Sequence, residues 1–162
     1  MKKINVTAVL IFLLVAFAGY KLVKRFVMLP KLTFQSEQIT ALDSNYTTTI
    51  AALKGNVVIV SCYQTWCGDC ARELPSIQAL QNKLGSDKIS IVLISDEPFA
   101  KINKFKNHFR SELPFYQSVD SFKEIGIRVF PTTYLIDPKG NLLLSKLEGF
   151  DWASQEVLQI IK

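Results

Sequence analysis

The chain opens on Ile4 to Tyr20, apolar throughout except for Asn5, Thr7 and Gly19. As a helix, this run of 17 residues reaches about 26 Å, slightly short of a hydrocarbon core of about 30 Å. Leu22, Val23 and the stretch Phe26 to Leu29 lengthen it, with Lys21, Lys24 and Arg25 placed to snorkel to the interface. Two readings fit: an uncleaved membrane anchor, and a signal peptide, because Ala16-Phe17-Ala18 has the small-x-small form of a cleavage site. The anchor is preferred, since basic and further apolar residues follow directly after the possible cut. The chain then divides into residues 1–29, the anchor or signal peptide, and residues 30–162, a folded domain.

Within that domain the pattern alternates between strand and helix. Pro30 to Leu53 is a polar lead-in with short edge strands predicted at Thr33 to Ile39 and Tyr46 to Ile50, around an Asp43-Ser44-Asn45 turn. Val57 to Cys62 reads as a buried strand. From about Cys67 to Leu84 the spacing of Leu74, Ile77, Leu80 and Leu84 predicts a helix with one face on a sheet, kinked at Pro75. Lys88 to Ser95 is a second buried strand. Ser95 or Asp96 is placed to cap a second helix, with Pro98 in its first turn. That helix carries Phe99, Ile102, Phe105 and Phe109 on one face and Lys101, Lys104 and His108 on the other. Pro114 to Ser118 reads as a strand, Ser121 to Ile125 as a short helix ended by Gly126, and Phe130 to Asp137 as a strand. A turn over Asp137-Pro138-Lys139-Gly140 leads to an antiparallel partner, Asn141 to Lys146. Asp151 is placed to cap a last helix burying Trp152, Leu158 and Ile161. The sum is an α/β domain: a mixed central sheet flanked by helices on both faces.

Charge changes the picture only once it is localised. The net charge of +5 comes from Lys2, Lys3, Lys21, Lys24 and Arg25, which bracket the apolar segment; from Lys31 onward, 14 basic residues balance 14 acidic ones. A neutral domain argues against nucleic acid as a partner, and the basic flanks suit a membrane surface. The three cysteines, Cys62, Cys67 and Cys70, are too few for a disulfide scaffold in a chain of 162 residues.

The chemistry gathers at Trp66-Cys67-Gly68-Asp69-Cys70, between a buried strand and a helix. Two cysteines three apart in a first helical turn can close a small disulfide ring, and the free N–H groups and dipole of the helix end favour a thiolate on the leading one. Cys67, at the exposed tip, is therefore the candidate nucleophile. Cys70, one turn deeper, is the cysteine that resolves the mixed disulfide. Glu73 follows on the same helix face, either as a carboxylate that takes the Cys70 proton or as a solvated charge paired with Arg72 or a lysine. Asp69 should oppose thiolate formation and bias the pair towards a reductant. Trp66 is expected to shield the disulfide or to pack in the core, and Cys62 to be a small core residue rather than a third redox centre. A metal site from the three cysteines and His108 is disfavoured, because His108 shares a face with lysines. No cofactor beyond the Cys67–Cys70 dithiol is expected.

The run Val57 to Cys70, followed by Arg72-Glu73-Leu74-Pro75, resembles the thioredoxin superfamily, and more closely its TlpA/ResA-like branch of membrane-tethered thiol–disulfide oxidoreductases of the bacterial cell envelope. Gly126 to Asp137 resembles that family's G-V-x-x-x-P-T-x-F-L-I-D run, and Asp137 to Gly140 its D-x-x-G hairpin. The resemblance covers roughly residues 33–162. It implies a thioredoxin fold, a cis peptide before Pro131, pairing of the Phe130 backbone with a substrate strand beside Trp66, and a functional Glu at the position of Glu73. It also implies protein disulfides as substrates, apocytochrome c among them, a transmembrane electron donor, and a single-pass inner-membrane protein with its domain on the periplasmic side. The departures are Gly-Asp between the cysteines, Tyr63-Gln64 for the usual Trp-Ala, Ser61 where many thioredoxins carry a buried Asp, and Cys62 where an aromatic is common. A net oxidant or isomerase, and a tethered binding or metal-binding module, remain the alternatives.

Overall fold

A computed structural model describes residues 12–17, 19, 36, 38–53 and 55–161. The chain runs β1 (Gln38–Ala41), β2 (Thr47–Thr49), a 3-10 turn (Ile50–Leu53), β3 (Val57–Cys62), α1 (Gly68–Leu84), β4 (Ile89–Ser95), α2 (Phe99–His108), β5 (Phe115–Ser118), β6 (Thr132–Ile136), β7 (Leu142–Lys146) and α3 (Gln155–Ile161). The seven strands form one sheet in the order β2-β1-β5-β4-β3-β6-β7. β3 runs parallel to β4, and β4 to β5, while β6 and β7 close one edge and β1 and β2 the other with antiparallel pairs. This is the mixed sheet that the alternation of patterns implied.

β3 is central and buried at every position, so its two side-chain faces belong to two cores. Val57 and Ile59 pack with Leu74, Ile77 and Leu80 of α1, Ile102 and Phe105 of α2, and Trp152. Val58, Val60 and Cys62 pack on the other face with Phe122, Ile127 and Tyr134. Ile77 has no exposed surface. We expect Ile77→Ala to lower stability by about 2–5 kcal/mol in denaturant unfolding, the range for emptying a closed apolar site.

Helix α1 runs from Gly68 to Leu84 with Pro75 inside it. It stops at Gly85, whose φ of +92° suits a residue without Cβ and whose N–H bonds to Gln81 O. Several local expectations are corrected. Neither Ser95 nor Asp96 caps α2: Pro98 is the flanking residue, with no side-chain cap. The Ser95 hydroxyl instead accepts from Glu97 N, and Asp96 is drawn into contacts with two loops. Phe109 falls beyond the end of α2 and is partly exposed. Residues 121–125 form turns, not a helix, because Ile127 N bonds back to Phe122 O and ends the segment after a single turn. Asp151 serves the turn before α3 by accepting from Ala153 N, while the Ser154 hydroxyl accepts from Val157 N at the helix start. Trp152 is wholly buried ahead of α3, and Val157 is that helix's fully buried residue. The predicted first strand begins later, at Gln38; positions 33–35 and 37 of that prediction lie outside the described residues, as does most of the segment Ile4 to Tyr20. Residues 12–17 are helical and exposed, and no helix among the described residues is long and apolar enough to cross a membrane.

Candidate active site

β3 ends at Cys62, and the chain leaves that end of the sheet through Tyr63 to Trp66 before entering α1. Cys67 is the N-cap of α1, with extended backbone, and its Sγ accepts the Cys70 N–H at 3.2 Å. The two cysteines are joined, with S–S 2.15 Å, χ3 82° and Cα–Cα 5.3 Å. Cys67 is 7% exposed and Cys70 2%: the expected exposed tip is largely covered, and Cys67 is the more exposed of the two. The free first-turn N–H groups and the helix dipole lie at Cys67, where a thiolate has to be stabilised.

The loop into the dithiol is held from β4. Gln64 Nε2 donates to Asp96 Oδ1 at 2.6 Å, and the other Asp96 oxygen accepts from Phe122 N at 2.8 Å. Thr65 N donates to Glu97 Oε2 at 2.6 Å, and Lys101 Nζ donates to Glu97 Oε1 at 3.1 Å. Burial works against the charge on Glu97, but the Thr65 N–H and Lys101 outweigh it and hold the carboxyl below the usual carboxylate range. Nothing in the spacing of Asp96 and Glu97 announced these tethers, since they depend on the parallel register of β3 and β4, in which Cys62 stands opposite Ile94.

Glu73 is not a solvated charge. It is 2% exposed, and Arg72 pairs with Asp69 instead, both on the surface. Glu73 lies beneath α1 on the sheet face shared by Ser61 and Thr133, which are register partners on β3 and β6. Ser61 Oγ donates to Glu73 Oε2 at 3.1 Å, and Thr133 Oγ1 lies 3.0 Å from both that oxygen and Ser61 Oγ. Trp152 Nε1 donates to Glu73 Oε1. Burial raises the Glu73 pKa above its ordinary 4.5; the hydrogen bonds from Trp152, Thr133, Ser61 and the Phe150 backbone offset that only in part, and among the described residues no cation forms an ion pair with it. Ser61, at the position where many thioredoxins place a carboxylate, thus orients one carried by the helix. Alternation along β3 predicts the face of Ser61, but its partners Thr133 and Trp152 come from strand pairing and from a loop about 80 residues away.

Pro131 follows a cis Phe130–Pro131 peptide. Because Thr132 is the register partner of Cys62, this peptide enters β6 at the same sheet end as the loop leading to Cys67. Trp66 is 72% exposed, so it is not a core residue; its ring stands edge-on to Phe130 with centroids 6.0 Å apart. Cys62 lies on the opposite sheet face from the dithiol, fully buried, and burial together with nearby Asp96 pushes its thiol far up. It is a core residue held protonated. The Asp69 charge expected to oppose a thiolate is shared with Arg72. Among the described residues no group of three or more His, Cys, Asp or Glu side chains could hold a metal.

Strand order, a dithiol at the start of the helix after the central strand and a cis-proline at the same end of the sheet place the chain among the thioredoxin-like thiol–disulfide oxidoreductases. Comparison with known proteins narrows the class: the model of the AhpC/TSA family matches residues 29–144, and the chain belongs to that family. It is similar to the thiol-disulfide oxidoreductase ResA of Oceanobacillus iheyensis, 29% identical over 130 residues, covering 72% of this chain and 67% of that protein. It is similar also to the thioredoxin-like protein YneN of Bacillus subtilis, 29% identical over 92 residues, with 54% of each chain covered. The chain thus spans between about half and two thirds of the length of these relatives. Among solved structures, the thioredoxin domain of a thiol-disulfide oxidoreductase from Bacteroides vulgatus matches with a TM-score of 0.68 over 82% of this chain and 100% of that one. At 20% identity this is a likeness of fold.

Proposed function

We propose that this chain is a membrane-tethered reductant of disulfides in extracytoplasmic proteins. The observation that carries the reading is an N-cap cysteine, Cys67, the more exposed of a largely buried pair at 7% against 2% for Cys70, with a buried carboxyl, Glu73, one helical turn beyond Cys70. In the reduced protein, the Cys67 thiolate attacks a substrate disulfide; one substrate sulfur leaves and takes a proton, and a mixed disulfide forms. Cys70 then gives its proton to the Glu73 carboxylate and attacks Cys67 Sγ, releasing the second substrate thiol and forming the Cys67–Cys70 disulfide. The substrate gains two electrons and the protein loses two. Trp66 and the Phe130–Pro131 backbone flank the attacked sulfur, with Phe130 offering main-chain groups to a substrate strand.

Returning the pair to the dithiol requires two electrons and two protons. Outside the cytoplasm a dithiol donor that crosses the membrane supplies them. Tethering is supported by the Ile4 to Tyr20 run with its basic flanks and by the exposed apolar side chains of Phe12, Leu13, Leu14, Val15 and Phe17. The resemblance to envelope oxidoreductases supports a periplasmic-side domain on a single-pass anchor, with oxidised cysteine pairs such as that of apocytochrome c as substrates.

The reduction potential tests the direction of exchange. In full-length protein equilibrated with glutathione or dithiothreitol buffers, followed by Trp66 fluorescence, we expect a value near thioredoxin's, at about −270 mV or below. A value near about −120 mV would make the protein an oxidant. No Cys67–Cys70 disulfide in any buffer would remove the exchange reading altogether.

A further inference from the structure

The two flanks of the dithiol carry opposite charge. On one, an open groove of about 480 Å³ runs between the start of α1 and helix α2. Trp66 and Cys67 form one wall, and Phe105 and Phe109 supply apolar surface opposite. Its charged lining is Lys101 and Lys104, with His108 beside them on the face of α2 that the sequence pattern assigns to solvent. Lys101 is partly engaged by Glu97. Lys104 has no ion-pair partner among the described residues, and His108 is exposed. On the other flank, a cleft is lined by Asp69 and Arg72, which pair with each other, and by the carboxylates of Glu148 and Asp151.

A polypeptide that brings a disulfide to Cys67 lies across this boundary. An apolar side chain next to the attacked cysteine can cover Trp66 and Phe109, which are large and exposed. A carboxylate beside it meets Lys104, whereas a lysine there meets like charge. We propose that the α1–α2 groove is a specificity subsite for an acidic segment flanking the attacked cystine of the substrate. This rests on the exchange function above and adds which substrates react fastest. The gain lies in encounter and register more than in raw affinity, because the charges are at the surface.

The test uses the full-length reduced protein and two cystine peptides of one sequence, flanked on the same side by Glu-Leu-Glu or by Lys-Leu-Lys. At low salt the acidic peptide is reduced roughly fivefold faster, the scale of one or two exposed ion pairs. The difference closes at about 1 M salt, where the screening length is about 3 Å. In Lys104→Glu the ratio of the two rates inverts; being internal to one sample, that ratio is insensitive to the fraction of folded protein. Equal rates at low salt, or a preference unchanged in Lys104→Glu, would overturn the subsite. Reduction of uncharged hydroxyethyl disulfide by the wild-type chain reports the exchange chemistry separately. If that fails, the exchange reading falls, and binding of the same peptides with serine for cysteine, read by Trp66 fluorescence, still decides the groove: equal affinity for both peptides rejects it.

Discussion

Cys67→Ser is expected to reduce insulin-disulfide turnover to background, a loss on the order of 10³-fold or more, because it removes the sulfur that caps the N-terminus of α1 and is the more exposed of the pair. Cys70→Ser is expected to lose turnover for a different reason. Cys67 still attacks, but nothing one turn deeper releases it, so the protein accumulates as mixed disulfides with its substrates. Non-reducing electrophoresis separates the two variants: an adduct that disappears with dithiothreitol in Cys70→Ser, and none in Cys67→Ser. Turnover retained by Cys67→Ser would make the dithiol vestigial and leave a binding module. Cys62→Ala, by contrast, should leave turnover intact, since Cys62 sits on the other sheet face with its thiol held protonated.

Glu73→Gln is the second large effect, and its environment makes it a clean substitution. The amide oxygen can keep the Trp152 N–H, while the amide NH₂ can donate to Ser61 and Thr133, whose hydroxyls are free to turn and accept. Shape and hydrogen bonds survive; the capacity to take a proton does not. We expect release of the mixed disulfide to slow by about 10²-fold, the lower end of what a positioned base contributes. In the wild type this step accelerates as pH rises through the raised pKa of Glu73, because only the carboxylate can accept the Cys70 proton. In Glu73→Gln that limb of the profile is gone, and an unchanged profile would reject the role.

Stability carries the same signature with opposite sign. Burial keeps the Glu73 carboxyl protonated in the folded chain at pH values where the unfolded chain, near 4.5, already ionises. Its contribution is therefore fully present below 4.5, declines as pH rises from there through the folded-state value, and is level above it. Chemical denaturation across that interval should show the decline in wild type and not in Glu73→Gln, so the variant gains relative stability towards neutral pH while losing activity. A buried group that costs stability and supports chemistry is the pattern expected of a functional site.

Much of this protein is written in local order. The uninterrupted run Val57 to Cys62, the helical spacing of Leu74, Ile77 and Leu80, and the turn at Asp137 to Gly140 each determine an element from neighbours a few residues apart, because hydrophobic period and turn chemistry are short-range properties. The dithiol is legible for the same reason: a strand, a cysteine pair three apart and a helix are contiguous, so the place of Cys67 and Cys70 at the start of α1 follows from sequence alone. Short-range reasoning failed where a side chain had a competing long-range partner. Ser95 and Asp96 look like helix caps, yet Asp96 is claimed by Gln64 and Phe122, and residues 121–125 are too few to hold a helix once Ile127 bonds back to Phe122. The sequence also left Glu73 undecided between solvent and core. Only the register of β3 against β6, which sets Ser61 opposite Thr133, and the return of the chain that places Trp152 above them, made it a buried carboxyl. The basic groove beside Cys67 was hidden likewise: its lysines look like an ordinary solvated face until the packing of α2 against the start of α1 sets them in one groove with Cys67. Those facts depend on which distant segments meet, and that is settled by the burial of two sheet faces together, not by any single stretch of the chain.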